Sequence, residues 1–298
     1  MISQKRYTLQ APPRLGRWLD FRPISLEALP EILRFLRAYP GRSCDCSVGG
    51  IFQWIDYFGY EYCITSETLF IKGLSEDSSR RPAFWVPLGE LPMDEAVEMI
   101  RNYCRRRHMD MIFSCVPDYR LAELTSVIDC DVTELTDWAD YIYRATDLAT
   151  LTGKHYNKKR NHVNRFMADN PDWSLDFIDS GNIDQVRAFF DSLDNGNAKA
   201  DPVMAEYERE QCADVLRNYT HYPYEGAVLR DQSGAIVAFT SAEVIADTLF
   251  VHIEKMRHDV AGAGETINKL FAAAMLRRHP EIVYINREDD GGDPGLRY

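Results

Sequence analysis

The segment from Gly226 to Arg278 constrains the fold more than any other part of the chain. Three runs of strand-forming residues with short polar turns between them predict a three-stranded antiparallel meander. The meander strands are Gly226 to Arg230, Ala235 to Val244 and Thr248 to Met256. A turn at Gly262-Ala263-Gly264 then leads into an apolar-faced helix from Glu265 to Arg278, and Ile282 to Ile285 predicts a final strand.

The glycine turn has two readings. Glycines between a strand and a helix let backbone N–H groups point at an anion, which the helix dipole favours, so Gly262 and Gly264 are candidate phosphate-binding residues. The other reading is a flexible turn without a ligand. A dinucleotide-binding fingerprint does not fit, because the preceding strands are antiparallel and no third glycine follows at the required spacing.

The remainder of the chain alternates helical and strand patterns, which predicts an α+β fold around a mixed sheet. Further strands are expected at 61–65, 68–72, 83–88, 111–116, 140–143 and 173–178, and helices at 26–39, with Ser25 as the cap, and at 93–107, 155–167, 183–193 and 203–219. A length of 298 residues suits two domains. We expect them at residues 1–138 and 139–298.

Composition narrows the class of protein. Thirty-four Lys and Arg against 46 Asp and Glu give a net charge of −12, which disfavours a general nucleic-acid coat or a polybasic membrane binder. The seven cysteines are scattered without a Cys-x-x-Cys pair, so we expect reduced packing residues and no metal site. No apolar signal-peptide core and no stretch near ~20 apolar residues occurs, so the expected compartment is the cytoplasm.

A basic segment stands out against this acidic background. No Asp or Glu lies between Asp147 and Asp169, and the segment carries several cations and polar side chains. The candidate donor-binding residues here are Lys154, Lys158, Lys159, Arg160, Asn161 and His162. They form either an ordinary solvated helix face or a binding site for the phosphates of a nucleotide, a tRNA or a lipid headgroup.

Candidate acid and base residues follow the last strands. Glu288 and Asp289 come directly after the final strand, where a carboxylate could take a proton from an attacking amine, and Arg287 could clamp a carboxylate or a phosphate. Glu254 ends the meander and is a third candidate base, which we expect to share a strand face with Phe250 and His252. The noncatalytic alternatives are an ordinary acidic turn for Glu288 and Asp289, and an exposed glutamate at a strand end for Glu254.

Taken together, these motifs resemble the family named for the C-terminal domain of phosphatidylglycerol lysyltransferase, in its standalone bacterial form. The resemblance spans nearly the whole chain, and its strongest blocks are Lys158-Lys159-Arg160-Asn161-His162 and Asn286-Arg287-Glu288-Asp289. Further matching segments are Asp140 to Tyr143, Leu148 to Lys154, His252 to Lys255, Asn268 and Gly295 to Arg297.

The resemblance implies two tandem GNAT-like acyltransferase domains and transfer of an aminoacyl group from charged tRNA to an amine or hydroxyl acceptor. The resemblance also implies that the basic helix holds the donor's phosphates, and that Glu288 or Asp289 transfers a proton or holds the donor's α-ammonium. The donor is either an aminoacyl-tRNA or an acyl-coenzyme A. The acceptor is a small molecule, a peptide or a lipid headgroup, although phosphatidylglycerol itself is not expected, because this chain lacks the membrane-embedded portion of the lipid-modifying relatives.

Two other functions remain open from the sequence. The glycine turn favours a coenzyme A-dependent N-acetyltransferase, while Asp259 stands where such enzymes usually carry a basic residue or a glutamine before that turn. The basic helix is also compatible with a noncatalytic module that binds a nucleotide or RNA. Each of the three predicts a different ligand.

Overall fold

The structure, a computed structural model, describes residues 18–193 and 202–291. The first half contains a five-stranded antiparallel sheet with the order β1-β2-β3-β4, in which β5 also pairs with β3. Its strands are β1 (Arg22–Pro23), β2 (Glu61–Thr65), β3 (Thr68–Leu74), β4 (Pro82–Phe84) and β5 (Leu88–Gly89). Its helices are α1 (Leu29–Ala38), α2 (Val48–Phe52), α3 (Ile55–Phe58), α4 (Met93–Arg107) and α5 (Asp118–Thr125).

The second half contains a six-stranded sheet with the order β6-β11-β10-β9-β8-β7, in which β10 and β11 run parallel and the other pairs are antiparallel. Its strands are β6 (Ile142–Arg144), β7 (Ser174–Phe177), β8 (Glu225–Arg230), β9 (Ile236–Ile245), β10 (Thr248–Met256) and β11 (Tyr284–Asn286). Its helices are α6 (Ala145–Thr150), α7 (Asn157–Asp169), α8 (Ile183–Ser192), α9 (Pro202–Arg217) and α10 (Ala263–Arg278).

The six-stranded sheet separates two layers of the molecule. Side chains of one face, such as Leu249 and Val251, pack with α6, α7 and α10. Side chains of the other face, such as Phe250 and Ile253, pack with α8, α9 and the first half of the chain in one continuous core. The second face is therefore the one that meets the junction between the halves.

A bulge in β10 decides which side chains reach that junction. Val251 pairs with Ala242 and Ile253 pairs with Ser241, so His252 is an extra residue without a partner in the ladder. An extra residue shifts the alternation of side chains beyond it to the other face. The expectation that Glu254 shares a face with His252 is therefore wrong: Glu254 lies with Leu249 and Val251 on the α10 face.

Most of the predicted secondary structure is confirmed. The meander, the helix over Met93 to Arg107 and the helix after the glycine turn are present, and the α+β class with a mixed sheet is confirmed. All seven cysteines are free, and five are buried, but Cys130 is exposed, so the expectation that all seven are packing residues is wrong for Cys130. Ser25 precedes a short 3₁₀ turn, Leu26–Ala28, and its hydroxyl donates to Glu27 without capping the backbone.

Three further local predictions are wrong. Residues 111–116 form no strand, and Phe113 makes an isolated bridge to Phe84. The run at 83–88 divides into β4 and β5, which both pair with β3. The basic helix begins at Asn157, after a 3₁₀ turn over Lys154–Tyr156, instead of at His155.

Candidate functional site

Carboxylates from both halves meet at the junction. The backbone N–H of Cys44 donates to both oxygens of Asp140, at 3.3 and 3.2 Å, and the Cys44 thiol donates to Asp289 at 3.9 Å. The Asn286 amide, at the end of β11, donates to the carbonyl of Arg42 at 2.7 Å. The segment around Cys44 in the first half is thus fixed against the end of the last strand in the second.

The first half adds two carboxylates to this group. Asp45 follows Cys44, and Glu76 accepts a hydrogen bond from the Cys115 thiol at 3.0 Å. One ligand-type atom each from Asp45, Glu76 and Cys115 lies within 4.8 Å of the others, close enough for all three to face one cation. We define Asp45, Glu76, Asp140 and Asp289 as the acidic cluster.

No cation of the described residues balances the acidic cluster. Within residues 18–193 and 202–291, none of its four members forms an ion pair with Lys, Arg or His. Burial raises the pKa of Asp45, Glu76 and Asp140. Burial, followed by the charge of Glu288, raises the pKa of Asp289 to about 7. A cationic group placed here would relieve the mutual repulsion of these carboxylates.

Glu288 lies beside the cluster and is joined to a buried histidine. His252 Nδ1 is 2.7 Å from Glu288 Oε1, and His252 Nε2 is 2.8 Å from Glu243 Oε1. The side chains of His252 and Glu243 are buried, whereas the Glu288 side chain is 24% exposed. Burial opposes a charge on His252, but its hydrogen bonds to Glu243 and Glu288 outweigh that effect and raise its pKa to about 9.

The backbone at Glu288 is held in an uncommon conformation. Its φ is +61°, in the left-handed region that residues with a Cβ rarely adopt. The Glu288 N–H donates to Asn286 Oδ1 at 2.6 Å, and its carbonyl accepts from the Tyr141 N–H at 2.9 Å. These bonds turn the Glu288 side chain to the junction, away from the face where Arg287 lies.

Glu254 and Arg287 pair with each other on the α10 face. Arg287 Nη2 is 2.8 Å from Glu254 Oε1, and the Glu254 side chain is only 10% exposed. Glu254 also lines a small cavity between β10, β11, α6 and α10. The pairing neutralises both groups, so neither presents a free charge to a ligand in this conformation.

The basic helix α7 packs on the same face as α10. Lys154, Lys158 and Lys159 are exposed, and in the part of the chain that is described they form no ion pair. Arg160 is turned inward, because it donates to the carbonyls of Leu151 and Gly153. The remaining members of the predicted set are Asn161, which is exposed, and His162, which lies 2.6 Å from Glu265 on α10.

The space beside each glycine of the turn is occupied by other atoms of the protein. Gly262 has φ +81°, and a Cβ there would collide with the carbonyl oxygen of His162. A Cβ on Gly264 would collide with the sulfur of Met256. In the structure these glycines allow α10 to pack against α7 and β10; a phosphate-binding role for them stays a prediction.

The structure therefore divides the predicted site residues into two groups. Glu288 and Asp289 lie at the junction of the halves. The basic helix, the glycine turn, Glu254 and Arg287 lie on the α10 face, and no hydrogen bond or ion pair among the described residues joins the two groups. Gly295 to Arg297 lie outside the described residues.

Sequence reasoning assigned roles to only two of the ionisable residues that meet at the junction, Glu288 and Asp289. Asp45 and Glu76 stand in no motif, and only the fold of the first half brings them to Asp140. Glu243 did carry a signal, since it is the one ionisable residue in a strand, β9, that is otherwise apolar or hydroxylic. His252 and Asp140 stood in segments of the family resemblance without an assigned role.

Solved structures share this architecture. A protein of unknown function from Bacteroides thetaiotaomicron is 27% identical, with a TM-score of 0.80 over 94% of this chain and 93% of that one. L-PGS from Bacillus licheniformis is 13% identical, with a TM-score of 0.58 over 93% of this chain and 81% of that one. FemX is 7% identical, with a TM-score of 0.53 over 94% and 92%.

The last two likenesses show the fold alone, and they agree with the α+β class that the sequence predicted. None of the curated proteins matches the chain. Among the described residues, no helix is both long and apolar enough to cross a membrane. The family model described as "Phosphatidylglycerol lysyltransferase, C-terminal" matches residues 36–297, and the chain therefore belongs to that family.

Proposed function

We propose that the protein transfers an aminoacyl group from a charged tRNA to an amine or hydroxyl acceptor, at the junction between two GNAT-like units, residues 1–138 and 139–298. Family membership and fold support an acyltransferase. The observation that carries the finer proposal is the acidic cluster, four partly buried carboxyl groups without a cationic partner in the described chain. The ammonium group of an aminoacyl ester supplies such a partner.

A cationic amino acid fits this arrangement better than a neutral one. Asp140 and Asp289 lie beside Glu288, whereas Asp45 and Glu76 extend the acidic cluster toward the first half. An α-ammonium and a side-chain ammonium on one aminoacyl group would each find carboxylates to pair with. The family is named for a lysyltransferase, which supports lysyl as the first donor to test.

Glu288 is the base in this mechanism. It accepts the proton of the acceptor's amine or hydroxyl as the nucleophile attacks the ester carbonyl. The new bond from carbonyl carbon to acceptor forms, the ester bond to the tRNA ribose breaks, and the ribose oxygen leaves with a proton. Asp289, adjacent in sequence, holds the donor's ammonium.

The donor's phosphates are assigned to the exposed lysines of the basic segment. Lys154, Lys158 and Lys159 are exposed without ion pairs in the described chain. Lys158 and Lys159 lie in the first turn of α7, where the helix dipole adds to their positive potential, and Lys154 lies in the 3₁₀ turn before it. They lie on the α10 face, so a donor that contacts both them and the junction must extend around the sheet. A tRNA is large enough for that, and a free amino acid is not.

Calorimetric titration with lysinamide, a stable mimic of the lysyl ester, tests the proposal. We expect binding to the wild type and at least about tenfold weaker binding to Asp289→Asn, since the variant removes one charge-assisted contact. Asp172→Asn is the matched control, because Asp172 is exposed and lies outside the acidic cluster. Transfer is then measured by mass spectrometry with lysyl-tRNA and a panel of amine and hydroxyl acceptors. Equal lysinamide binding by Asp289→Asn and wild type would contradict the assignment.

The parallel pairing of β10 and β11 beside the glycine turn favours a second candidate, a coenzyme A-dependent N-acetyltransferase. His162 and Met256 pack against Gly262 and Gly264, and this packing weighs against coenzyme A binding at the turn. A thermal shift with acetyl-coenzyme A and none with charged tRNA or lysinamide would favour this candidate, since a ligand at 100 times its Kd adds ~2.7 kcal/mol of stability. Binding of RNA or nucleotide without turnover would instead indicate a noncatalytic module.

A further inference from the structure

Three side chains form a continuous line into the junction: Glu243, His252 and Glu288. The distances between their hydrogen-bonding atoms are 2.8 Å from Glu243 to His252 and 2.7 Å from His252 to Glu288. The ring of His252 is fully buried and is stacked near Phe250, with ring centroids 6.4 Å apart. His252 follows Phe250 by two residues and lies on the same face of β10, at the bulge.

The geometry favours one protonation state of the histidine. An ionised carboxylate only accepts hydrogen bonds, so a ring nitrogen that faces one must carry a hydrogen. With Glu243 and Glu288 both ionised, His252 is an imidazolium. Burial raises the pKa of Glu288, and the hydrogen bond from His252 opposes that rise. The positive charge of His252 lies directly behind Glu288, the group assigned as base.

Glu243, at the opposite end of the line from Glu288, is hydrogen-bonded to the first half of the chain. The backbone N–H of Gly49, in α2, donates to Glu243 Oε1 at 2.9 Å, the same oxygen that His252 contacts. Gly49 also lies against the ring, because a Cβ at this position would collide with the imidazole of His252. Both halves therefore have to be in place for the ring to hold its position.

We propose that His252, backed by Glu243 and Gly49, is a positioning residue that fixes the Glu288 carboxylate at the junction and keeps it ionised. The inference rests on the proposed function, in which Glu288 accepts the acceptor's proton. It adds that the first half of the chain acts on the base through a hydrogen-bonded line, although it contributes no atom to the proton transfer.

Other ionisable groups face this line from the surrounding elements. The groups that act on His252 or Glu288 are Tyr224 before β8, Glu208 and Cys212 on α9, Lys255 on β10, Asp140 and Asp289 at the junction, and Cys44. Lys255 is paired with Glu208 at 2.6 Å. His252 is therefore the cation in direct contact with Glu288 among the described residues.

The first test does not depend on activity. The ¹⁵N spectrum of histidine-labelled protein, with His252→Gln to identify the signal, separates an imidazolium from either neutral tautomer. We expect both ring nitrogens of His252 to be protonated at pH 7.5, and to lose a proton only as the pH approaches about 9. A neutral ring at pH 7.5 would overturn the proposal even if aminoacyl transfer is shown.

The second test uses the pH profile of transfer. In His252→Gln the amide keeps hydrogen-bonding groups but removes the positive charge, so the Glu288 carboxylate loses its stabilisation and its pKa rises. We expect the acidic limb of kcat against pH to move at least about one unit upward, with kcat reduced about 10- to 100-fold and KM within about twofold. A uniform loss of kcat at every pH, with the limb unmoved, would show a merely structural role and overturn the proposal.

Two further variants address the contribution of the first half. Glu243→Gln should move the acidic limb in the same direction, while Gly49→Ala should lower kcat by displacing the ring. Gly181→Ala is the control, since Gly181 lies in an exposed turn and its only near neighbour is Asp179. If Gly49→Ala does not fold, the test rests on Glu243→Gln. An unchanged profile of kcat against pH in that variant would contradict a role for Glu243 behind His252. Absence of transfer by the wild type would refute the proposed function, and the spectrum would still decide on the imidazolium.

Discussion

Gly262 resembles a ligand-binding residue in the sequence, but in the structure it allows two helices to pack. In the sequence it stands at a strand-to-helix turn, which is typical of phosphate-binding loops. In the structure its missing Cβ leaves room for the His162 carbonyl, and its φ of +81° suits glycine. The α10 helix can approach α7 only because no side chain intervenes.

Gly262→Ala should destabilise the protein more than Gly234→Ala does. Gly234 has nearly the same φ, +82°, but a Cβ there meets nothing within 4 Å. We expect about 1 kcal/mol for Gly234→Ala, from the left-handed conformation, and at least about 3 kcal/mol for Gly262→Ala, which adds a collision. Urea unfolding of both variants measures the difference. Equal losses would show that α7 yields to the new methyl group.

Asp289 should make stability depend on pH. Its pKa is raised in the folded protein, so the folded state holds the proton more tightly than the unfolded state does, and stability falls as the pH rises from about 4 to about 7. Asp289→Asn should remove this slope, leaving the variant more stable than wild type above pH 7, on the order of 4 kcal/mol. Urea unfolding at pH 5, 6, 7 and 8 tests this, with Asp172→Asn as control. A parallel pH dependence in wild type and Asp289→Asn would contradict it.

At the scale of single residues, sequence reasoning identified the carboxylates at the junction that follow β11 and missed those from the first half. Glu288 and Asp289 end a recognisable strand, so their position at a sheet edge could be expected. Asp45 and Glu76 reach the junction only through tertiary packing, which has no local period. The bulge at His252 reversed the predicted face of Glu254, because one inserted residue is invisible to an alternating pattern.

Among the elements, α7 combines two roles that its sequence does not separate. Its inward side chains, Val163 and Phe166, are buried against α10 and the sheet. Arg160 binds the loop before the helix, while Lys158 and Lys159 remain exposed. The run of like charges thus contains one cation that is bound to the backbone, Arg160, and two that are exposed, Lys158 and Lys159. Only the hydrogen bonds of the folded protein distinguish them.

Substitution of Lys158 and Lys159 by alanine should weaken tRNA binding and leave stability unchanged. Each lysine that contacts a phosphate should lower the slope of log affinity against log salt by about 1. Filter-binding at several salt concentrations measures the slope. Arg37→Ala, which removes an exposed cation on α1, is the control. A slope identical to wild type would remove α7 from the donor site.

Arg160→Ala should behave in the opposite way. Its guanidinium donates to Leu151 and Gly153, so the loss should appear as a lower melting temperature, with little change in the salt slope. A change in the slope equal to that of a lysine variant would show instead that Arg160 leaves the loop to meet a phosphate.

On the scale of the whole molecule, the two sheets belong to different halves, but the largest core does not. It joins residues of α1 and α2 to residues of α8, α9 and the inner face of the six-stranded sheet. Aromatic pairs cross the boundary, including Phe52 with Tyr222 and the stacked rings of Trp54 and Tyr207. The sequence predicted two halves of similar class, but it offered no means of separating residues of this shared core from residues buried within one half.

This shared core should make unfolding a single transition. Phe52→Ala should cost about 3 to 5 kcal/mol, because Phe52 is 3% exposed and its cavity lies between the halves. Calorimetry should show one peak for wild type and one for the variant at lower temperature. Ile100→Ala, in a core confined to the first half, should shift the same single peak. Two resolved peaks in any of these proteins would show independent halves.

The acidic cluster also has a consequence for selectivity if the proposed function holds. When its carboxyl groups are ionised, the acidic cluster repels the phosphates of the tRNA that carries the donor and attracts the ammonium groups of the esterified amino acid. An uncharged tRNA lacks the ammonium and meets repulsion alone. The junction would then act as an electrostatic filter that attracts the esterified amino acid and repels the tRNA, and the deacylated tRNA would be released because the ammonium groups leave it with the aminoacyl group.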